Sequence, residues 1–242
     1  MVVPARNEAR NLALVLPTID PAHEVVVVDG GSDRTAETVA AVRPSARVVR
    51  QTRPGKGNAL VCGFAEATGH VLVMLDADGS ADPAEIPRFV DALLAGADLA
   101  KGSRRLPGGG STDLTRLRGL GNRALTAGAN LLLGSHHSDL CYGFNAFWAD
   151  VLPRLALPSP YPAGHEMRWG DGFEIEAVLY CRAAAAGLRV AEVPSFERGR
   201  YHGHSNLHAA RDGLRVAATL LRERRGRRPA PALSPAPLGF AG

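Results

Sequence analysis

The stretch "VLVMLDADGS", Val71 to Ser80, closes an apolar run with two aspartates one residue apart, Asp76 and Asp78. A short continuous apolar run bounded by a Gly-containing turn reads as a strand of a parallel sheet, buried on both faces. Such a strand has no structural need for paired carboxylates at its tip. In isolation Asp78-Gly79 would serve as a plain turn and Asp76 as a helix cap, because short acidic pairs are common in turns. The pair is not isolated, and its neighbours decide the fold.

On the N-terminal side, "HEVVVVDGGS" is a second apolar run that ends in a Gly-rich turn. "DRTAETVAAVR" then has helical spacing, with Ser32 or Asp33 available as N-cap. "ARVVRQ" is a short strand, and "GKGNALVCGFAEA" is a loop entering a helix. After the aspartates, "DPAEIPRFVDALLAG" is a helix opened by Asp82 and Pro83, and "ADLAKGSR" is the next strand. The chain itself opens on "MVVPARNEARNL", the last residues of a buried strand running into a turn and helix. This βαβαβ rhythm predicts an α/β fold: a Rossmann-like, mostly parallel central sheet with right-handed crossovers and flanking helices. Ligands of such sheets bind outside the carboxyl ends of the strands. The polar groups expected there are Asn7, Glu8, Asp29, Asp76, Asp78 and Arg104.

Composition narrows the class. With 242 residues and 45% hydrophobic content the chain can build one substantial core. A net charge of +4 falls short of a dedicated nucleic-acid binder, so no nucleic-acid partner is expected. Cys62, Cys141 and Cys181 are far apart and form no CxxC pair, which argues against a zinc site or a disulfide scaffold and fits a reducing, cytoplasmic compartment. No apolar run is long enough to span a bilayer. Residues 1–225 read as one domain, and the Pro/Ala-rich residues 226–242 as a disordered tail.

At a strand-end turn, two carboxylates one residue apart can face one crevice and hold a hard divalent cation. Mg²⁺ and Mn²⁺ prefer oxygen ligands, and Mg²⁺ commonly takes one or two carboxylates plus substrate phosphates.

Several stretches together resemble a known family. "VVPARNEARNL", "VVVVDGGS", "GKGNAL" and "VMLDADGS" run in the order seen in family 2 glycosyltransferases of the GT-A fold. "LAKGSR", "YGFNAFW", "GFEIEAVLYCRAAAAGLRVAEVP" and "RYHGHSNL" extend the likeness to the polyprenol-phosphate hexosyltransferase branch, which includes dolichol-phosphate mannose synthases. The resemblance covers residues 1–225. It implies a nucleotide-diphospho-sugar donor of the GDP-mannose or UDP-glucose type, Mg²⁺ or Mn²⁺, and transfer with inversion to a polyprenyl phosphate. By position, Pro4, Ala5, Arg6, Asn7, Glu8, Asp29 and Gly31 would cradle base and ribose, with Lys56 and Ala77 beside the nucleotide. Asp76 would lie near the ribose and metal, and Asp78 would ligate the metal on the diphosphate.

The chain departs from the branch at three places. Asp29-Gly30-Gly31-Ser32 stands where relatives read D-D-G-S, which leaves Asp29 as the sole base-recognising carboxylate. Ser80 stands where mannose synthases often carry glutamine. In "RYHGHSN", from Arg200 to Asn206, asparagine replaces a lysine.

The acceptor chemistry leaves two readings open. A polyprenyl phosphate is already anionic near neutral pH, so it needs cations to hold it rather than a base. Arg104, Arg116 or Arg118, and Arg200 are suited to that, with Ser205 beside them, since guanidinium grips phosphate in a bidentate fork. A soluble hydroxyl acceptor would instead require a general base, for which Asp171, Glu174 and Glu176 are available. If "WGDGFEIE" is helical, Asp171 and Glu174 share a face; as N-terminal helix charges they would simply favour the macrodipole. A third reading is a nucleotide-sugar binding module without turnover.

Of the remaining features, the histidines at 136, 137, 202, 204 and 208 lack metal-ligand spacing, and His202 and His204 are acceptor-loop candidates. "LPGGGSTDLTR" reads as a flexible loop over the site, and "SPYPAGHEMRWG" as a second mobile stretch in which Tyr161 and Trp169 either contact ligand or pack. "LHAARDGLRVAATLLRERRGRR" is an amphipathic helix with Leu207, Ala210, Leu214, Ala217 and Leu221 on one stripe. Either that stripe packs on the domain, or the helix meets anionic headgroups as a peripheral contact on the inner membrane face.

Overall fold

A computed structural model describes residues 1–225, so the expected tail at 226–242 lies outside the described residues. The chain runs β1 Val2–Ala5, α1 Ala9–Val15, β2 Val26–Asp29, α2 Thr35–Val42, β3 Arg47–Arg50, α3 Lys56–Glu66, β4 Val71–Met74, α4 Ile86–Leu94 and β5 Leu99–Ser103. It continues with β6 Gly110–Ser111, α5 Arg116–Leu133, β7 Asn145–Trp148, α6 Leu152–Leu155, α7 Ile175–Ala185, β8 Val190–Pro194, β9 Phe196–Glu197 and α8 Ala209–Arg225.

Seven strands form one sheet in the order β3-β2-β1-β4-β7-β5-β8. All neighbours are parallel except β7, which is antiparallel to both β4 and β5. The expected mostly parallel α/β sheet is therefore present. The reversed β7 has a direct consequence for the site: its entry, not its exit, lies at the edge where the other strands end.

The apolar runs are continuous because both faces are covered. Val2, Val26, Val28, Leu72 and Met74 face one layer with Leu60 and Phe64 of α3, Val178 of α7 and Val216 and Leu220 of α8. Val3, Val27 and Val73 face the other, with Leu12 and Val15 of α1, Val39 of α2 and Phe89 and Leu93 of α4. Phe64 meets Phe147 edge-on at 5.3 Å, and Phe89 meets Phe144 at 4.4 Å between centroids, so β7 and its approach are anchored from both layers.

Local signals are visible at the helix starts. Asp82 accepts from Ala84 N at 3.0 Å before the turn that leads into α4. Asp33 accepts from Thr35 N at 3.1 Å and from Thr35 Oγ1 at 2.7 Å, so of the two candidates it tethers the start of α2. In α8 the buried residues are Asp212, Val216, Thr219 and Leu220. The stripe through Ala210, Leu214 and Leu221 faces outward, with Leu214 72% exposed, so packing of α8 on the domain uses a different face from the one its apolar periodicity suggests.

Candidate active site

At the carboxyl edge of the sheet lies a cleft of about 800 Å³. Its floor is made by Pro4, Ala5, Arg6 and Glu8 after β1, by Asp76, Ala77, Asp78 and Ser80 after β4, and by Lys56 at the start of α3. Its mouth is walled by Leu114, Leu117 and Leu125 on the α5 side and by Leu207, Leu214 and Ala217 on the α8 side. A smaller adjoining cleft of about 410 Å³ takes in Asn7, Asn11, His202 and His204.

The two aspartates each share a cation with a second carboxylate. Lys56 Nζ lies 2.8 Å from Asp76 Oδ1 and 3.0 Å from Glu176 Oε1. Burial alone would lower the pKa of Lys56, but Asp76 and Glu176 more than offset it and hold that pKa above the ordinary lysine value. Gly143 faces this triad from the entry to β7, and a Cβ there would sit 2.5 Å from Lys56 Nζ and 3.1 Å from Asp76 Oδ2. On the other side of Ala77, Arg200 Nη2 lies 3.1 Å from Asp78 Oδ2 and 3.1 Å from Glu8 Oε1. Glu8 also accepts from the Asn11 side-chain amide. Burial pushes the Glu8 carboxyl up, against the pull of Asn11 and Arg200.

The turn after β4 is fixed locally. Ser80 N donates to Asp78 Oδ1 at 3.0 Å, and Gly79 adopts φ +80°, a conformation open to glycine at little cost. Residues 198–206 lie over it: Arg198 N donates to Ser80 O at 2.8 Å, Tyr201 N to Asp78 O at 3.0 Å, and the Tyr201 ring covers Gly79 where a side chain would otherwise stand.

Among the described residues no group of three or more His, Cys, Asp or Glu side chains is poised to hold a metal ion. Asp76 and Asp78 both line the cleft, and two carboxylates suit a hard cation whose remaining ligands are substrate oxygens. His137 is half-buried and its pKa falls to about 4, chiefly through desolvation, so it is neutral near pH 7, and its ring faces Tyr180 rather than the cleft. Cys141 lines the cleft, but burial pushes its thiol up to about 12, which leaves it protonated and unreactive.

The other sequence expectations divide. Pro4, Ala5, Arg6, Glu8, Lys56, Asp76, Ala77 and Asp78 line the cleft together, as do Arg104, Arg118, Arg200 and Ser205. Asn7 reaches only the adjoining cleft; its Oδ1 accepts from Ser32 N at 2.8 Å. Asp29 and Gly31 line neither cleft: Asp29 accepts from Gly31 N at 2.8 Å and from Arg50 at 3.1 Å, so it holds its own turn.

Asp171 departs furthest from its expected role as base. It is 1% exposed, grips Arg53 through two bonds of 2.8 Å and accepts from Arg168 N at 2.7 Å, and it does not line the cleft. Glu174 likewise is spent on Arg215 and on Gly170 N. Neither residue is helical, because α7 starts at Ile175, so they share no helix face. Arg104 is also committed. It pairs with Asp139 at 2.7 Å and Glu197 at 3.0 Å beneath the Tyr142 ring, with its side chain 4% exposed, and so offers no free fork to a phosphate. Arg118 pairs with Asp113 at 3.0 Å in the first turn of α5. Trp169 packs between Arg182 and Arg222, away from the cleft. The loop at "LPGGGSTDLTR" is partly ordered as β6 against β9, and its Asp113 and Leu114 reach the cleft.

Sequence reasoning gave no role to Gly143, Tyr201 or Arg53. Only Gly143 carried a signal, a glycine between two aromatic residues ahead of a strand, which marks close backbone approach.

Comparison with known proteins places this geometry. The sequence signature of "Glycosyl transferase family 2" matches residues 1–155. Undecaprenyl-phosphate mannosyltransferase of Micrococcus luteus is 35% identical over 204 residues, 80% of each chain. Polyprenol monophosphomannose synthase of Mycolicibacterium smegmatis is 34% identical over 206 residues, 80% of this chain and 75% of that one. Glucosyl-3-phosphoglycerate synthase from Mycobacterium tuberculosis, solved with Mn²⁺, UDP-glucose and phosphoglyceric acid, superposes with a TM-score of 0.70 at 28% identity, covering 92% of this chain and 78% of the other. The sheet is thus that of a GT-A glycosyltransferase, and the chain belongs to glycosyl transferase family 2.

Proposed function

We propose that the protein transfers a hexose, with inversion, from a nucleotide-diphospho-sugar to a polyprenyl phosphate, assisted by Mg²⁺ or Mn²⁺. The observation that carries this reading is that each aspartate or glutamate lining the cleft already has a basic partner. Glu8 and Asp78 pair with Arg200, Asp76 and Glu176 with Lys56, Asp113 with Arg118, Glu197 with Arg104, and Asp212 with Arg211. A hydroxyl acceptor needs a carboxylate free to take its proton. A phosphate monoester arrives already ionised and needs none.

In this assignment Asp78, with Asp76 beside it, holds the cation, and Pro4 to Glu8 with Ala77 cradle the nucleotide. When bound, the cation supplies Lewis-acid and electrostatic stabilisation of the leaving diphosphate. Arg118, Arg200 and Ser205, which line the same cleft, are the groups available to the incoming phosphate.

The apolar mouth supports a lipid acceptor. On α5, Leu117, Leu120 and Leu131 are 75%, 65% and 85% exposed, and Arg116 and Arg123 are exposed alongside them. The outward stripe of α8 adds Leu214 and Leu221, with Arg222, Arg224 and Arg225 in its last turn. Exposed leucines rimmed by arginines suit an anionic membrane surface. No helix among the described residues is long and apolar enough to cross a membrane. The names of the Micrococcus and Mycolicibacterium relatives favour the same acceptor class.

The test is transfer of labelled sugar from GDP-mannose or UDP-glucose to polyprenyl phosphate in vesicles, with Mn²⁺ or Mg²⁺. Label extracted with the lipid, and lost on EDTA treatment and in Asp78→Ala, is the expected result. Label transferred to phosphoglycerate but not to lipid would move the reading to a soluble acceptor. Nucleotide binding without transfer to either would reduce the protein to a binding module.

A further inference from the structure

Arg200 sits on the carboxylate assigned to the cation. Its Nη2 bridges Asp78 and Glu8, its other terminal nitrogen donates to the His204 carbonyl, and its buried Nε has no hydrogen-bond partner. The residue belongs to the irregular segment 198–206, which the two backbone bonds and the Tyr201 ring hold on the aspartate turn. Lys56 contrasts with it, being rooted in the first turn of α3 between two carboxylates with its side chain 12% exposed. The Arg200 side chain is 17% exposed, but with its Nε unpartnered and its backbone in an irregular segment it is the less firmly rooted of the two cations beside the aspartates.

A guanidinium and a divalent cation held by one carboxylate would repel each other. We infer that Arg200 is the stand-in cation of Asp78 and a positioning residue: loading of the cation with the donor diphosphate displaces its guanidinium from Asp78, and only then is its fork free for the phosphate of the acceptor. Binding order is thereby built into one side chain. Before the donor complex forms, the guanidinium is shared by Asp78 and Glu8; afterwards it keeps Glu8, and the edge released from Asp78 can make a charge-assisted pair with a phosphate. This inference rests on the assignment of Asp78 to the cation, not on the identity of the sugar.

The experiment is an electron paramagnetic resonance titration of Mn²⁺ without nucleotide, on wild type, Arg200→Gln, Tyr201→Ser and Asp78→Ala, each checked for folding by circular dichroism. Tyr201→Ser keeps every charge and loosens only the segment. Arg200→Gln is expected to bind Mn²⁺ about fivefold or more tighter than wild type, with Tyr201→Ser between them. In calorimetry, a short-chain isoprenyl phosphate should bind wild type about fivefold tighter once Mn²⁺ and a nucleoside diphosphate are present, with no such gain in Arg200→Gln. Equal Mn²⁺ affinity in wild type, Arg200→Gln and Tyr201→Ser, with Asp78→Ala weakened, overturns the switch and leaves the cation site standing. Undiminished Mn²⁺ binding by Asp78→Ala overturns both.

Discussion

Lys56 and Asp76 form the closest ion pair on the cleft floor, Nζ to Oδ1 at 2.8 Å, and Glu176 completes it from α7 at 3.0 Å. One ammonium therefore balances two carboxylates, and Asp76 spends part of its charge inside the protein. Lys56→Met would leave both carboxylates clustered without a cation and is expected to cost about 3–5 kcal/mol of stability. Urea denaturation checks this; an unchanged midpoint would show that the triad relaxes freely. Gly143→Ala should mimic part of the loss, because its Cβ would stand 2.5 Å from Lys56 Nζ.

Asp171 offers a clean separation of roles. Its carboxylate and Arg53 have side chains only 2% exposed, so Asp171→Asn removes the charge that balances a buried guanidinium. The expected result is a stability loss of about 3 kcal/mol. Below the lowered melting temperature, kcat should stay within about threefold of wild type. A fall of about a hundredfold in kcat at unchanged melting temperature would instead mark Asp171 as a base and favour a hydroxyl acceptor.

Acid stability should be governed by Asp139. Burial pushes its carboxyl up, but Arg104 overrides this, and with Lys101 and Asn122 holds it down to about 2 against an ordinary 3.8. A depressed carboxylate contributes stability above its unfolded value and loses it as pH falls through the folded one. About 2 kcal/mol should therefore disappear between pH 3.8 and pH 2. Urea midpoints across that range test it, and in Asp139→Asn the same stretch of the curve should flatten.

The outward leucines of α5 and α8 predict membrane binding separable from chemistry. Leu120, Leu131 and Leu221 are exposed and do not line the cleft. Changing all three to Gln should weaken binding to anionic vesicles about tenfold or more while leaving the melting temperature unchanged. Wild-type binding should also fall with added salt, since the flanking arginines act through screened charge. Transfer to a water-soluble short-chain acceptor should survive the triple change, and transfer to vesicle-borne acceptor should not.

What could be read in advance follows from the range of each signal. The runs around Val26 and Leu72 and the polar residues after them are local, so the sheet and its carboxyl edge were legible. The reversal of β7 was not, because "NAFW" is equally apolar in either direction and its neighbours, β4 and β5, lie far from it in sequence. Arg104 looked available for phosphate because its partners Asp139 and Glu197 are 35 and 93 residues away. Asp171 and Glu174 would share a face only if their segment were helical, and both precede Ile175, where α7 begins. In α8 periodicity revealed a stripe but not its direction. The helix carries two, one through Ala210, Leu214 and Leu221, the other through Asp212, Val216 and Leu220, and the core selected the second.

The bond between Glu8 and Arg200 spans 192 residues. On a ribosome that interval lasts roughly 10–40 s at ordinary elongation rates. Asp78 precedes Arg200 by 122 residues, so for roughly 6–25 s of that interval Glu8 and Asp78 can meet as like charges without the arginine that reconciles them, and Gly79 lacks its Tyr201 cover. A nascent chain can close the first strands of the sheet long before the corner between Glu8 and Asp78 is electrically balanced. The charge balance of that corner is therefore among the last properties the polypeptide acquires during synthesis.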